Sequence, residues 1–275
     1  MSRLLYSGVV RTRKNKTFWC CIIGMVVLIV AVCLNQYYVK QNFHANVVFD
    51  KLFLSYALLT GFFLAIFSSL FLGTEYSDGT VRNKLIVGHS RYNIYLANFL
   101  CCAAAGLFFD VVFILVVSLV GVPMFGFFKA DLWIVGILAG NGLLLTITYA
   151  SLFTMMSMVI SNRSVNGIVC LLIFFAGIIL AGILLARLQE PEVIGGIVIS
   201  SDGTQYVDGW TNPRYLKPEM RALYELIMDI LPSGQSLTIT DATAVHPFRM
   251  ALFSMIEILF FTVLGMWLFE KKDLK

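Results

Sequence analysis

Charge is what this sequence has least of. Asp, Glu, Lys and Arg make up 13% of its 275 residues, 16 acidic and 20 basic, where a soluble domain carries about 25%. The hydrophobic share is 59% and the mean hydropathy +0.85, which excludes a water-soluble enzyme. Histidine is scarce as well. His44, His89 and His246 lie far apart, with no H-E-x-x-H pair to seat a metal, so a membrane-embedded hydrolase is not expected. No G-x-x-x-x-G-K-[ST] occurs, hence no phosphate-cradling loop. The six cysteines, Cys20, Cys21, Cys33, Cys101, Cys102 and Cys170, fall in or beside apolar runs. They read as small packing residues, not as a disulfide framework or a metal set. Met155, Met156 and Met158 read as gap fillers between helices. A net charge of +4, scattered along the chain, gives no sign of a nucleic-acid partner.

Long apolar runs are what the sequence has in abundance. Six of them are expected to span a bilayer: Thr17 to Leu34, Leu52 to Gly73, Asn93 to Val120, Leu132 to Ile160, Val165 to Leu188 and Phe248 to Phe269. Each approaches or exceeds the roughly 20 residues that cross a hydrocarbon core. Inside lipid every backbone amide must be satisfied within the protein, and the runs lack the two-residue alternation of barrel strands. The fold class expected is therefore an all-α membrane protein with six transmembrane helices. The first run follows basic residues as a secretory signal would, but no small-residue cleavage site follows Leu34, so it reads as an uncleaved helix.

Basic residues set the expected orientation. Arg3, Arg11, Arg13, Lys14, Lys16, Arg82, Lys84, Arg91, Arg163, Lys271, Lys272 and Lys275 fall on one side, against Lys40, Lys51 and Lys129 in the short loops of the other. Twelve against three places both termini in the cytoplasm. The segment 189–247 then lies outside, carrying Glu190, Glu192, Asp202, Asp208, Glu219, Glu225, Asp229 and Asp241. Val193 to Ser200 is rich in β-branched residues, and the turn dipeptides Asp202-Gly203 and Asp208-Gly209 flank a short polar run after it, which predicts a small hairpin. From Pro218 to Pro232, Met220, Leu223, Ile227, Ile230 and Leu231 fall near one helical face, predicting an amphipathic helix that packs the hairpin onto the bundle, the alternatives being one that lies on the membrane surface or caps a cavity.

Two stretches on the basic side carry more information. The loop 74–92 combines an Asp78-Gly79 turn, a Thr80 that can cap a following helix, Leu85 and Ile86 opposite Lys84, and Ser90 ahead of the third span. The expectation is a rigid charged knob, with Glu75 and Asp78 on one shoulder and Arg82, Lys84 and Arg91 on the other. The stretch 1–16 sets Leu4, Leu5, Val9 and Val10 against Arg11, Arg13, Lys14 and Lys16. It reads as an amphipathic helix whose basic residues meet anionic headgroups of the membrane lipid. Within the spans, Asp110 and Glu257 are carboxylates where insertion costs about 3 kcal/mol each, so both are candidates for a translocation path or for interhelical hydrogen bonds. Gly136 and Gly140, and Gly177 with Ala181 and Gly182, are expected to let helices of this chain approach closely.

The loop 74–92 resembles the ABC-2 type permease subunits of bacterial ATP-binding-cassette exporters. Glu75, Gly79, Thr80, Arg82, Leu85, Ser90 and Arg91 match the pattern, although Gly88-His89 stands where a proline often precedes the Ser-Arg pair. Six spans, inward termini, the basic N-terminal stretch and the tail Phe269 to Lys275 also match. The resemblance implies residues 1–16 as a connecting helix, 17–188 as five spans, 189–247 as an extracellular segment, and 248–275 as the sixth span with its tail. It implies that the loop is a coupling helix docked on a separate ATPase subunit, with Glu75, Asp78, Gly79, Thr80, Arg82, Lys84, Leu85, Ser90 and Arg91 carrying the contact. No cofactor is expected in this chain. ATP and Mg would bind the partner subunit, and a second permease copy or homologue would complete the path. The implied activity is export of an amphipathic compound, such as a peptide antibiotic or a drug, from a bacterial cell. The rival readings are an ion- or proton-coupled carrier using Asp110 and Glu257, and a membrane sensor or immunity protein that transports nothing.

Overall fold

The computed structural model describes residues 1–44, 46–200 and 203–273. Asp202 of the expected hairpin turn, and Leu274 and Lys275 of the tail, lie outside the described residues. The elements run α1 (Ser2–Lys14), α2 (Lys16–Phe43), α3 (Phe49–Leu54), α4 (Tyr56–Ser77), α5 (Thr80–Ile86), α6 (Arg91–Phe125), α7 (Leu132–Val159), α8 (Arg163–Leu188), β1 (Val193–Ser200), β2 (Gly203–Thr211), α9 (Pro218–Ile230), α10 (Pro232–Thr240) and α11 (Pro247–Lys271). Six spans emerge, from α2, from α3 with α4, and from α6, α7, α8 and α11. The protein is an all-α membrane protein.

Side-chain caps start most of the spans. Asn15 accepts from the Thr17 amide at 2.7 Å, Ser90 from Asn93 at 3.3 Å, Asp131 from Trp133 at 3.0 Å, and Asn162 from Ser164 and Val165 at 3.0 and 3.2 Å. Each cap satisfies an amide that the helix itself leaves free. The second span is broken at Ser55, whose hydroxyl turns back to the Leu52 carbonyl at 2.7 Å, a break the hydrophobic run does not reveal.

Helix α4 is the centre of the bundle, packed against α2, α6, α7 and α8. Small residues permit the closest approaches. A Cβ on Gly61 would sit 2.8 Å from the Tyr149 ring and 3.0 Å from that of Phe174, and one on Gly106 would meet Thr146 and Leu64. Gly136, Gly140 and Gly182 differ from expectation, because among the described residues open space surrounds each of them and the small-residue spacing there serves no packing. Helices α8 and α11 turn large apolar residues outward, among them Leu172, Ile179, Leu259 and Phe260. Helices apolar all round belong in hydrocarbon or against another subunit.

The segment after α8 departs most from the sequence reading. Strands β1 and β2 pair antiparallel with Val193 opposite Thr211 and Ser200 opposite Gly203, with a register shift between Ile194 and Gly196. Asp208 and Gly209 lie inside β2 and form no turn; cross-strand pairing overrides the local turn preference of the dipeptide. Helix α9 follows as predicted, but Pro232 opens a second helix, α10, packed between α9 and the spans α4, α7 and α8. Ser233 of α10 lies against Gly177, which is about 16 Å from the end of α8 at 1.5 Å per residue. The α9–α10 hairpin thus folds back into the bundle. Among the described residues Gly234 makes its turn possible, since a Cβ there would lie 2.8 Å from Met228 Cα.

Candidate functional site

The basic residues gather at one end of the bundle, where α1, the tip of α4, α5, the start of α6 and the tail after α11 meet. The centre of this end is Glu75, which is 1% exposed. It accepts from the guanidinium of Arg11 in α1 and the ammonium of Lys84 in α5, and from the Asn98 amide of α6 at 2.7 Å. Arg11 also sits over Phe71, with its guanidinium carbon 3.7 Å from the ring centroid. One carboxylate therefore ties four helices together. Carboxylate and two cations, with a neutral amide as third donor, give a buried cluster of net charge +1.

This changes the role expected for several residues. Glu75 and Lys84 do not stand on opposite shoulders of a surface knob; they face each other, because a carboxylate on the inner face of α4 recruits the nearest cations when water is excluded. Arg11 is correspondingly not a headgroup contact. Thr80 does not cap α5: Gly79, in the left-handed region at φ 66°, holds that position, and the Thr80 hydroxyl donates to the Glu75 carbonyl at 3.0 Å. Arg91 is engaged by the tail. Its Nη1 donates to the carbonyls of Phe269, Glu270 and Lys272 at 2.8, 2.9 and 2.6 Å, so it closes the C-terminal end of α11 as a cation should. Lys272 then reaches the Met158 carbonyl at 3.0 Å and sits 3.9 Å over the Tyr76 ring. Burial pushes its amine down from the ordinary lysine value to about 8.

What remains outward is narrower and more apolar than the sequence suggests. Leu85 packs on the core, whereas Ile86 and Val87 are 75% and 77% exposed at the tip of α5. Asp78, Arg82 and Asn83 are exposed beside them. Val87 and Asn98 were not singled out from the sequence. An Asn set among Leu96, Ala97, Phe99 and Leu100 of the third span is the signal that points to Asn98.

At the opposite end the charges pair differently. Asp50 is buried and accepts from the amides of Lys129 and Ala130 at 3.2 and 3.4 Å, closing the α6–α7 loop. Lys51 meets Asp241 at 3.3 Å. Asp229 of α9 is held by Arg249 of α11 at 2.6 Å; burial raises its carboxyl and Arg249 opposes that shift. Deeper, Gln235 donates to the carbonyls of Asp229 at 2.6 Å and Met250 at 3.4 Å and accepts from Ser254 at 2.8 Å, and Ser236 bonds Tyr149 at 2.9 Å. These bonds satisfy the polar face of α10 inside the bundle, the condition for inserting polar backbone and side chains at that depth. Asp110 and Glu257 do not meet. Asp110 of α6 faces Thr60 and Thr146, with neither carboxylate oxygen hydrogen-bonded among the described residues, and Glu257 lies on α11 with one oxygen likewise unpartnered. No cation pairs with either among the described residues.

Six apolar helices with a charged end define a multi-pass membrane protein. The chain belongs to the ABC-2 family: the model described as ABC-2 family transporter protein matches residues 9–274. No curated protein matches the chain. Members of this family are the membrane-spanning components of ABC transporters, which work with an ABC ATPase subunit. The residues placed above belong on that component.

Proposed function

We propose that this chain is the permease subunit of an ATP-driven exporter in a bacterial plasma membrane, paired with a second permease and served by separate ATPase subunits that bind ATP and Mg. The charge asymmetry supports a cytoplasmic side for both termini and α5. The observation that carries the proposal is the tip of α5. Ile86 and Val87 are exposed at a polar end of the molecule, outside the candidate spans. Apolar tips flanked by Asp78 and Arg82 suit a cleft in a soluble partner. Glu75 is the other half of the device: it fastens α5 to α1, α4 and α6, so a push on the tip moves these helices as one body. The path itself would run between two such permeases, with α8 or α11 contributing apolar wall and the α9–α10 hairpin closing the outer end. A compound of amphipathic character fits that mostly apolar lining.

Purification of the tagged chain from its native membrane in mild detergent tests this. The expected result is a co-purifying subunit that hydrolyses ATP, lost in Arg82→Glu and Ile86→Asp variants that melt like the parent. An intact parent protein that repeatedly arrives without such a subunit overturns the proposal.

A further inference from the structure

A groove of about 350 Å³ runs between α1, α2 and α6. Val9, Phe18, Trp19, Ala104 and Phe108 form its walls, and Arg13 is its charged member. The groove owes its depth to small residues on α6, where Ala104 is exposed between Cys101 and Phe108. One wall is fixed: the Trp19 indole donates to the Arg13 carbonyl at 2.8 Å and its ring stands edge-on to Phe18, 5.6 Å between centroids. The groove lies where the cationic α1–α2 junction gives way to the apolar run of the first span, the level of lipid headgroups.

Arg13, Lys14 and Lys16 surround this junction and are exposed. Unlike Arg11, none has an acidic partner within ion-pair distance among the described residues. Arg13 in the groove, with the exposed Lys14 and Lys16 next to it along the chain and a tryptophan at the boundary, is complementary to one molecule class: an amphiphile with an anionic head and a hydrocarbon tail. We infer that this elbow binds an anionic phospholipid of the surrounding leaflet, its phosphate among Arg13, Lys14 and Lys16 and the upper part of one acyl chain along Trp19 and Phe108. The site does not depend on the ATPase. It would hold α1, and through Arg11 the Glu75 cluster, against the bundle.

Trp19 is its own reporter. In a protein with Trp133, Trp210 and Trp267 changed to Phe, reconstituted in phosphatidylcholine, Trp19 quenching is compared for phosphatidylglycerol and phosphatidylcholine brominated near the glycerol end. The expected relative association constant favours the anionic lipid at least threefold, and falls to near one in Arg13→Gln/Lys14→Gln/Lys16→Gln. Ala104→Phe fills the groove while leaving the charges in place and removes the preference as well; Ala104 is exposed, so this variant keeps the parent melting temperature. Equal quenching by the two lipids overturns the inference. So does an anionic preference that survives Ala104→Phe, which would mean diffuse attraction to the surface without a groove site.

Discussion

Replacing Glu75 with Gln keeps the shape of the side chain and a partner for Asn98, and removes only the negative charge. Arg11 and Lys84 then share a pocket without an anion. Breaking a buried charge pair from one side costs about 3–5 kcal/mol. Here the lower figure applies, because the Lys84 side chain keeps 22% of its exposure and recovers some hydration, while the Nε and Nη2 of Arg11 stay buried. About 3 kcal/mol corresponds to a fall in melting temperature of roughly 6–12 °C for a chain of this size. Arg82 is the control: it is exposed and unpaired among the described residues, so Arg82→Glu changes stability by less than about 0.5 kcal/mol. Thermal unfolding of detergent-purified parent and variants, followed by intrinsic fluorescence, reads both. A Glu75→Gln protein that melts with the parent, or an Arg82→Glu protein that does not, refutes the assignment of Glu75 as an internal fastening and Arg82 as a surface group. The comparison also keeps transport defects interpretable, since loss of function at Glu75 would follow from loosened helices and at Arg82 from lost docking.

Three further outcomes follow from the same contacts. Gly234→Ala drives a methyl group into the Met228 backbone, which cannot rotate away, and should cost about 1–3 kcal/mol, seen as earlier proteolytic cleavage in the α9–α10 hairpin. Arg249→Ala leaves Asp229 buried without its cation; a loss of about 2–3 kcal/mol is expected, smaller in the double variant with Asp229→Asn, as a double-mutant cycle by thermal melt would measure. Lys272 has a folded-state pKa near 8, below its ordinary value, because burial disfavours the charge. The unfolded chain therefore binds the proton more tightly, and this group's contribution is fully present above about pH 10 and lost as pH falls through 8; melting temperature should rise between pH 8 and 10 in the parent relative to Lys272→Met, and an identical slope in both would contradict the burial of this amine.

The sequence by itself determined what depends on local pattern. Apolar run length gave the spans, the Asp78-Gly79 turn and the Ser90 cap fixed the ends of α5 and α6, and the spacing of Met220, Leu223 and Ile227 gave α9. Each is settled by residues within a turn or two of one another. Tertiary structure alone decided which of these residues face each other. Glu75 and Arg11 are 64 positions apart, and Arg91 and the tail carbonyls nearly 180; nothing in loop composition distinguishes a carboxylate on the inner face of α4 from one on its rim. Helix α10 was hidden for a related reason. Pro232 reads as the end of the preceding helix, and only the partners supplied by Tyr149, Met250 and Ser254 let Ser236 and Gln235 lie within the bundle. Burial of charge and polarity is a property of neighbours brought together by the fold, which is why apolar periodicity was legible in the chain and the polar interior was not.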